Sequence, residues 1–254
     1  MFDKFYNHLR IDAVLITETG LHIGAGEDSY EPTAPNGSVL RDATGLPYIP
    51  GSSLKGVLRA FLASVLDEPV VSAVTEELGD KGKRDRWKEN KQSADVLLAW
   101  HIERESTISE RLFGSQLMAG KVKLADARPK TDVKTDFRKG NAIDRDTHTT
   151  TPNALFDTES IPAGTEFTFR VDAENLTKQE AEILLQLLDV LAKGSISVGG
   201  RSRAGLGKVK LDQRKYTMHL RVNGTFPKTE STDKADDVLA KLTFQPEAEE
   251  VDHV

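Results

Sequence analysis

The chain has 254 residues, 38% of them hydrophobic and 29% charged, no cysteine and a formal net charge of −6. That length suits one large domain or two small ones, and no apolar run approaches the roughly 20 residues that span a membrane. Disulfides and thiolate metal sites are excluded, and the start, Met1 to Tyr6, lacks the apolar stretch of a secretory signal, which fits a cytoplasmic protein.

His8 to Thr19 reads as a strand, with Ile11, Ala13 and Leu15 on one face and Val14 and Ile16 on the other. Gly20 to Pro50 is a long loop rich in glycine and proline, a length usually tied to function. Ser52 or Ser53 is expected to cap a helix whose Leu54, Val57, Leu58, Phe61, Leu62, Val65 and Leu66 recur at helical spacing. Lys55 and Arg59, four apart, share another side of it. Pro69 to Arg111 is charged and reads as an irregular insertion, with a helix expected near Ser93–Trp100. Gly120–Ala127 alternates as a short strand. Arg128 to Pro162 reads as a polar loop or an extended hairpin. Thr165–Ala173 is a strand with Phe167, Phe169 and Val171 on one face. Thr177-Lys178-Gln179-Glu180 is a capping box opening a helix that carries Ile183, Leu184, Leu187, Leu188 and Leu191, and Gly194 suits its C-terminal cap. Leu206–Leu211 and Tyr216–Val222 read as two further strands, with a short amphipathic helix in the acidic tail. The order strand, helix, strand, strand, helix, strand predicts an α+β fold of the ferredoxin-like, RNA-recognition type (βαββαβ). One domain is expected over 1–229, with an insertion at about 68–111, and a tail over 230–254.

Charge is unevenly spread. Residues 230–254 carry eight acids against two cations, so residues 1–229 are neutral in sum. Segment 121–145 has eight cations and four acids, and segment 193–215 has seven cations and one acid. Two stretches set glycine and small hydroxyl residues beside cations: Leu46 to Arg59, containing Gly51-Ser52-Ser53-Leu54-Lys55, and Gly199-Gly200-Arg201-Ser202-Arg203-Ala204-Gly205-Leu206-Gly207. Glycine lets a backbone approach a ligand closely, and exposed N–H groups with Lys or Arg suit phosphate. Two such stretches point to a polyanion held along a surface.

These segments, with Gly20-Leu21-His22-Ile23-Gly24, Arg111-Leu112-Phe113-Gly114, and Ile143-Asp144-Arg145 paired with Ile161-Pro162-Ala163-Gly164-Thr165, occur in an order that resembles the backbone subunits of type III CRISPR effector complexes, members of the RAMP superfamily. The resemblance covers roughly residues 8–222. It implies a recognition-type sheet with a thumb hairpin at about 128–162. It also implies a subunit that stacks with copies of itself or homologous RAMP subunits along a CRISPR guide RNA, facing target RNA, beside other type III effector subunits and away from membranes. Ser52, Ser53, Lys55, Arg59, Arg145, Gly199, Gly200, Arg201 and Arg203 would then contact the guide. With 6% aromatic residues, phosphate contacts are expected to outweigh base stacking. His22 suits loop packing as well as it suits RNA.

Cutting members of that family carry a metal-dependent aspartate in the first long loop, and aligning from either side places Asn36 there. A neutral amide binds a hard cation poorly. Binding is therefore expected to need no cofactor, with Mg²⁺ relevant only if target is cut. Asp28, Glu31 or Asp42 could replace the aspartate, although Asp42 matches a separate family position and is expected to be structural. Asp144, Asp146 and His148 suit loop hydrogen bonds better than a metal. The alternatives are a metal-dependent endoribonuclease, an acid–base ribonuclease using His22 or His148, and a stand-alone RNA-binding protein.

Overall fold

Strand β1 (Asn7–Thr17) forms the middle of the main sheet because both of its edges are paired. Leu9, Ile11 and Leu15 point to the core and are 0% exposed, while His8, Arg10 and Asp12 alternate onto the other face. The computed structural model describes residues 5–24, 37–69, 71–91, 101–143, 150–221 and 228–244. Next come α1 (Gly51–Val65), α2 (Ala73–Leu78), α3 (Lys81–Lys91), α4 (Ile108–Phe113) and β2 (Val122–Leu124). They are followed by β3 (Asp136–Ile143), β4 (Thr150–Ser160), β5 (Glu166–Glu174), α5 (Lys178–Ala192), β6 (Val209–Leu220), β7 (Lys228–Thr232) and α6 (Ala235–Lys241). The five-stranded sheet has the order β2-β5-β1-β6-β7 with every pair antiparallel, and β3 and β4 form a separate hairpin. This mixed α/β architecture is consistent with a ferredoxin-like core. Among the described residues no helix is long and apolar enough to cross a membrane.

Leu54, Leu58 and Leu62 of α1, and Leu184, Leu188 and Leu191 of α5, join the inward residues of the strands in one core cluster. Each buried leucine contributes about 1.5–3 kcal/mol. The predicted capping box at Thr177 is present: its hydroxyl accepts from the Glu180 N–H, and the Glu180 carboxylate accepts from the Thr177 N–H. The same carboxylate holds Lys121 at 2.8 Å and Arg111 at 3.2 Å. Lys121 and Glu180 are each 1% exposed. Charges so deeply buried persist only because each has a partner.

Across the outward face, opposite charges stand directly opposite in the β1–β5 register, Arg10 against Asp172 and Asp12 against Arg170, at 2.8 Å each. His8 joins Asp172, and Lys123 joins Glu174. Cross-strand pairs of this kind stabilise a sheet modestly. The outward positions of β1 and β5 carry no phenylalanine, tyrosine or tryptophan, so these central strands offer no aromatic platform to a base.

Three expectations require correction. The stretch 69–111 is not irregular. Its described part contains α2, α3, residues 101–105 and α4, all helical, while the helix expected near Ser93–Trp100 falls outside the described residues. Polarity hid these helices, because α3 carries Trp87 as its one apolar side chain. The two strands expected over 206–222 are a single strand, β6, bent by a bulge where Gln213 takes φ +52° and the register with β1 shifts. The boundary at 229/230 falls inside β7, an edge strand beside β6, and the α6 helix that follows buries Val238 in the core. Asn7, fully buried, ties this end of the chain down by donating to the Thr243 and Leu176 carbonyls.

The Glu180 cluster should be the most sensitive polar point of the fold. Glu180→Gln removes the charged carboxylate that Lys121 and Arg111 share, and a loss of about 3–5 kcal/mol is expected in urea unfolding. Lys121→Met added to Glu180→Gln should recover part of it.

Candidate nucleic-acid interface

The glycine-rich segment is seated on the loop that follows β1. Gly199 has φ +81°, and a β-carbon there would lie 2.3 Å from the His22 carbonyl oxygen. Gly207, at φ +87°, would place one 2.3 Å from the Val198 oxygen. Only glycine satisfies both the dihedral and the approach. The Gly200 N–H donates to the His22 carbonyl at 2.8 Å, and the Gly207 N–H donates to that of Gly20 at 2.8 Å. Between these anchors Arg201 adopts a left-handed conformation and Ser202–Ala204 make one 3₁₀ turn. Residues 199 to 205 are all exposed, so Arg201 and Arg203 are presented to solvent.

The same loop after β1 is bound to the end of the β3–β4 hairpin. Leu21 and Ile161 exchange both backbone hydrogen bonds, and His22 Nδ1 lies 2.8 Å from the Glu159 carbonyl oxygen in a buried contact. His22 therefore has the packing role. The Glu159 carboxylate, itself buried, accepts from the Val39 N–H at 2.8 Å, from Arg41 and from the Thr135 hydroxyl. Burial pushes its pKa up, but the hydrogen bonds from Thr135, Val39 and Arg41 outweigh this and hold it below the usual 4.5. Gly37 is pinned by the Glu159 N–H at 3.0 Å. A β-carbon on Gly37 would lie 3.6 Å from Arg201 Nη2, so the glycine-rich loop reaches the residue after position 36. Asn36 and Arg145 lie outside the described residues, as do Asp28, Glu31, Asp144, Asp146 and His148.

The α1 segment differs from expectation at its cap. Pro50, not Ser52 or Ser53, is the N-cap residue, and neither serine hydroxyl caps the helix. The cause is Gly51, where a β-carbon would lie 2.2 Å from the Leu124 carbonyl oxygen. The chain presses against β2 there, and the Gly51 N–H is taken by Asp126 at 2.8 Å. Ser52 is left exposed and Ser53 half-buried. Lys55 and Arg59, both half-buried, line a groove of about 1050 Å³ between α1, α2 and the segment 113–123. Burial lowers the Lys55 pKa and the nearby Arg59 charge adds to the effect. No residue of the glycine-rich loop lines that groove, so the two cationic segments form separate surfaces.

Much of the positive charge in segment 121–145 is consumed locally. Lys121 pairs with Glu180, Lys123 with Glu174, Arg128 with Asp42 and Lys130 with Glu166. Asp42 is structural as expected. Its carboxylate accepts from the Thr44 N–H and hydroxyl, the Leu46 N–H and Arg128, and the Thr44 bonds hold its pKa below the usual range. Among the described residues no group of three or more His, Asp or Glu could hold a metal ion. The Asp42 and Glu159 carboxylates already accept hydrogen bonds from their protein neighbours. Sequence reasoning missed Glu159, Thr135 and Asp126 because each acts on residues far away in the chain. The Glu159 position, two before Ile161-Pro162, was the one available clue.

Residues 14–210 match the RAMP superfamily. The chain belongs to the RAMP superfamily. A similar curated protein is the "CRISPR system Cms endoribonuclease Csm3" of Streptococcus thermophilus, 28% identical over 218 residues, covering 82% of this chain and 89% of that protein. Its namesake from Methanocaldococcus jannaschii is 23% identical over 202 residues, covering 79% and 77%. Among solved structures, a chain of the type III-B Cmr-beta complex bound to cognate target RNA has a similar fold, with TM-score 0.52 and 17% identity. The match covers 83% of this RAMP protein but 61% of that longer chain.

Two measurements test the local geometry. Gly199→Ala should unseat the loop, seen as faster amide exchange at residues 20–24 and 196–207. Because the folded pKa of Glu159 lies below 4.5, its stabilisation is complete above that value and fades as pH falls through the lower folded value. The stability difference between wild type and Glu159→Gln should therefore narrow from about pH 6 to about pH 3.

Proposed function

We propose that this RAMP protein is a guide-RNA-binding backbone subunit of a type III CRISPR interference complex. In this reading it stacks with copies of itself or homologous RAMP subunits, beside other type III effector subunits, and holds a guide against target RNA in the cytoplasm for antiviral defence. The core is read as a βαββαβ unit made of β1, α1, β2, β5, α5 and β6, and the β3–β4 hairpin as the thumb. The observation that carries the reading is the glycine-rich loop, which exposes Arg201 and Arg203 on a rigid backbone seat and brings Arg201 beside Gly37. Such a surface holds phosphates without reading bases, and guide pairing supplies sequence specificity. The paired charges of β1 and β5 fit the same division of labour. Binding through this surface uses no cofactor.

Target cleavage is proposed to be weak or absent, because Asn36 stands where cutting relatives have aspartate and the described acids nearby are occupied. A second reading, a metal-dependent endoribonuclease, is favoured by the name "endoribonuclease" printed for the curated relatives. Labelled target RNA incubated with the assembled complex and Mg²⁺ separates them. Little cutting is expected from the unmodified chain and more from Asn36→Asp, whereas efficient cutting insensitive to position 36 supports the second reading.

Arg201→Glu with Arg203→Glu should weaken guide binding. If two phosphate contacts are lost, the slope of log affinity against log salt should fall by about 1.4, from roughly 0.7 per phosphate on a single strand. Unchanged affinity and slope in anisotropy titrations would remove this loop from the interface.

A further inference from the structure

The groove beside α1 differs in chemistry from the glycine-rich loop. Small or apolar residues line it, among them Ala60, Ala63, Ala119, Val122 and Val71, the last 44% exposed. Lys55 and Arg59 stand together on its α1 wall, one helical turn apart. The two acids that line it are committed elsewhere: the Glu68 carboxylate accepts from the Ile108 and Ser109 N–H groups, and that of Glu110 from Ser72 and Thr107. Thr75 comes from α2, which is held by the cluster of Val74, Leu78 and Ile102 on which Trp87 of α3 packs. The result is an apolar groove with a cationic wall. Among its described lining residues the one aromatic, Phe113, is 2% exposed and offers no face to a stacking base. An acidic peptide with small apolar side chains is complementary to it.

The chain has such a peptide within reach. Residues 245–254, outside the described residues, hold Glu247, Glu249, Glu250 and Asp252, no lysine or arginine, and the apolar Ala248, Val251 and Val254. The chain leading to them is fixed. Leu242 is buried in the core, and Asn7, at the start of β1, donates to the Thr243 carbonyl at 2.7 Å. Val122 on the groove stands level with Ala173 of β5, and Ala173 with Leu9 of β1, so the groove lies at this same end of the sheet. Two strand spacings separate β2 from β1, about 10 Å. The glycine-rich loop is seated beyond Thr17, at the other end of β1, and an 11-residue strand covers roughly 33 Å. A ten-residue segment spans at most about 35 Å. It reaches the groove with slack and the glycine-rich loop only at full stretch.

We infer that residues 245–254 dock in this groove, setting their acids against Lys55 and Arg59, and that RNA must displace them to reach α1. The docking stands on geometry and charge, while the competition rests on the RNA-binding reading above. The segment acts as an acidic screen that yields to a polyanion of higher charge density.

The test uses the full chain and nuclear magnetic resonance. With no cysteine in the sequence, Val251→Cys carries a single nitroxide label. Amide signals of Lys55, Arg59, Ala60 and Ala119 should broaden, and those of residues 199 to 205 should not. Glu249→Lys with Glu250→Lys should restore them, as should a 40-nucleotide poly(U) RNA. In anisotropy titrations, deleting 245–254 should lower the Kd for this RNA on the order of fivefold at low salt. The same deletion should matter less in a Lys55→Gln/Arg59→Gln chain, where only the change in overall charge remains. The spectra report whether each variant folds, and raised salt releases the segment without any substitution. Full signals on α1, or broadening at 199 to 205 instead, overturn the docking and leave the RNA reading intact. Broadening that arises only between spin-labelled and isotope-labelled copies assigns the segment to a second copy and also overturns it. Broadening that persists at saturating RNA overturns the competition. No RNA binding by any version overturns the RNA reading, while broadening on α1 still supports the docking.

Discussion

A contact between two stretches of backbone, with no space for a side chain between them, organises the functional side of this molecule. The Gly199–Gly200 peptide lies against the His22 carbonyl, and Gly207 lies against Val198 and Gly20. Both loops leave the central part of the sheet, one after β1 and one before β6, so the adjacency of β1 and β6 brings them together. Leu21 then carries the connection to Ile161 at the foot of the β3–β4 hairpin, and Glu159 carries it to Val39 and Arg41. A rigid seat of this kind lowers the entropy lost when a flexible loop is ordered around a ligand. Arg201 and Arg203 are long and exposed, but their backbone is already in place.

Charge on this RAMP protein is sorted by location. On the β1–β5 face, cations and acids meet in register and cancel. In the interior, Glu180 holds Lys121 and Arg111 and joins α5 to the segment before β2. Residues 199 to 205, all exposed, carry Arg201 and Arg203 and no acid. Net charge, at −6 for the whole chain, hides this arrangement because 230–254 alone accounts for it. A net-acidic protein can thus present local positive surfaces that attract a polyanion.

Much of the core was legible in the residues. The alternation in β1 and β5, the leucine spacing in α1 and α5 and the capping box at Thr177 all depend on neighbours within a few positions, and such local patterns survive in a linear reading. The glycines at 199 and 207 were legible as unusual, and their spacing beside arginine pointed to a phosphate surface. Other features were not legible. α3 has almost no apolar periodicity, so its helix was invisible without the cluster that anchors Trp87. The bulge at Gln213 looked like a gap between two strands, because a polar run, Asp212 to Lys215, reads the same in either case. Ser52 and Ser53 looked like caps because local preference favours them, yet the close approach of Gly51 to Leu124, on a strand some seventy residues later, moved the helix start.

The sequence by itself determined the family membership, the order of the core elements and the cationic glycine-rich segment, since these reside in local composition and motif order. Only the tertiary structure decided which charges are available to a ligand. Lys121 and Arg203 are alike on the page as basic residues near glycine, but one lies 1% exposed against Glu180 and the other stands in solvent. Availability depends on what burial and ion pairing leave over, and those are set by contacts between residues that are distant in the chain.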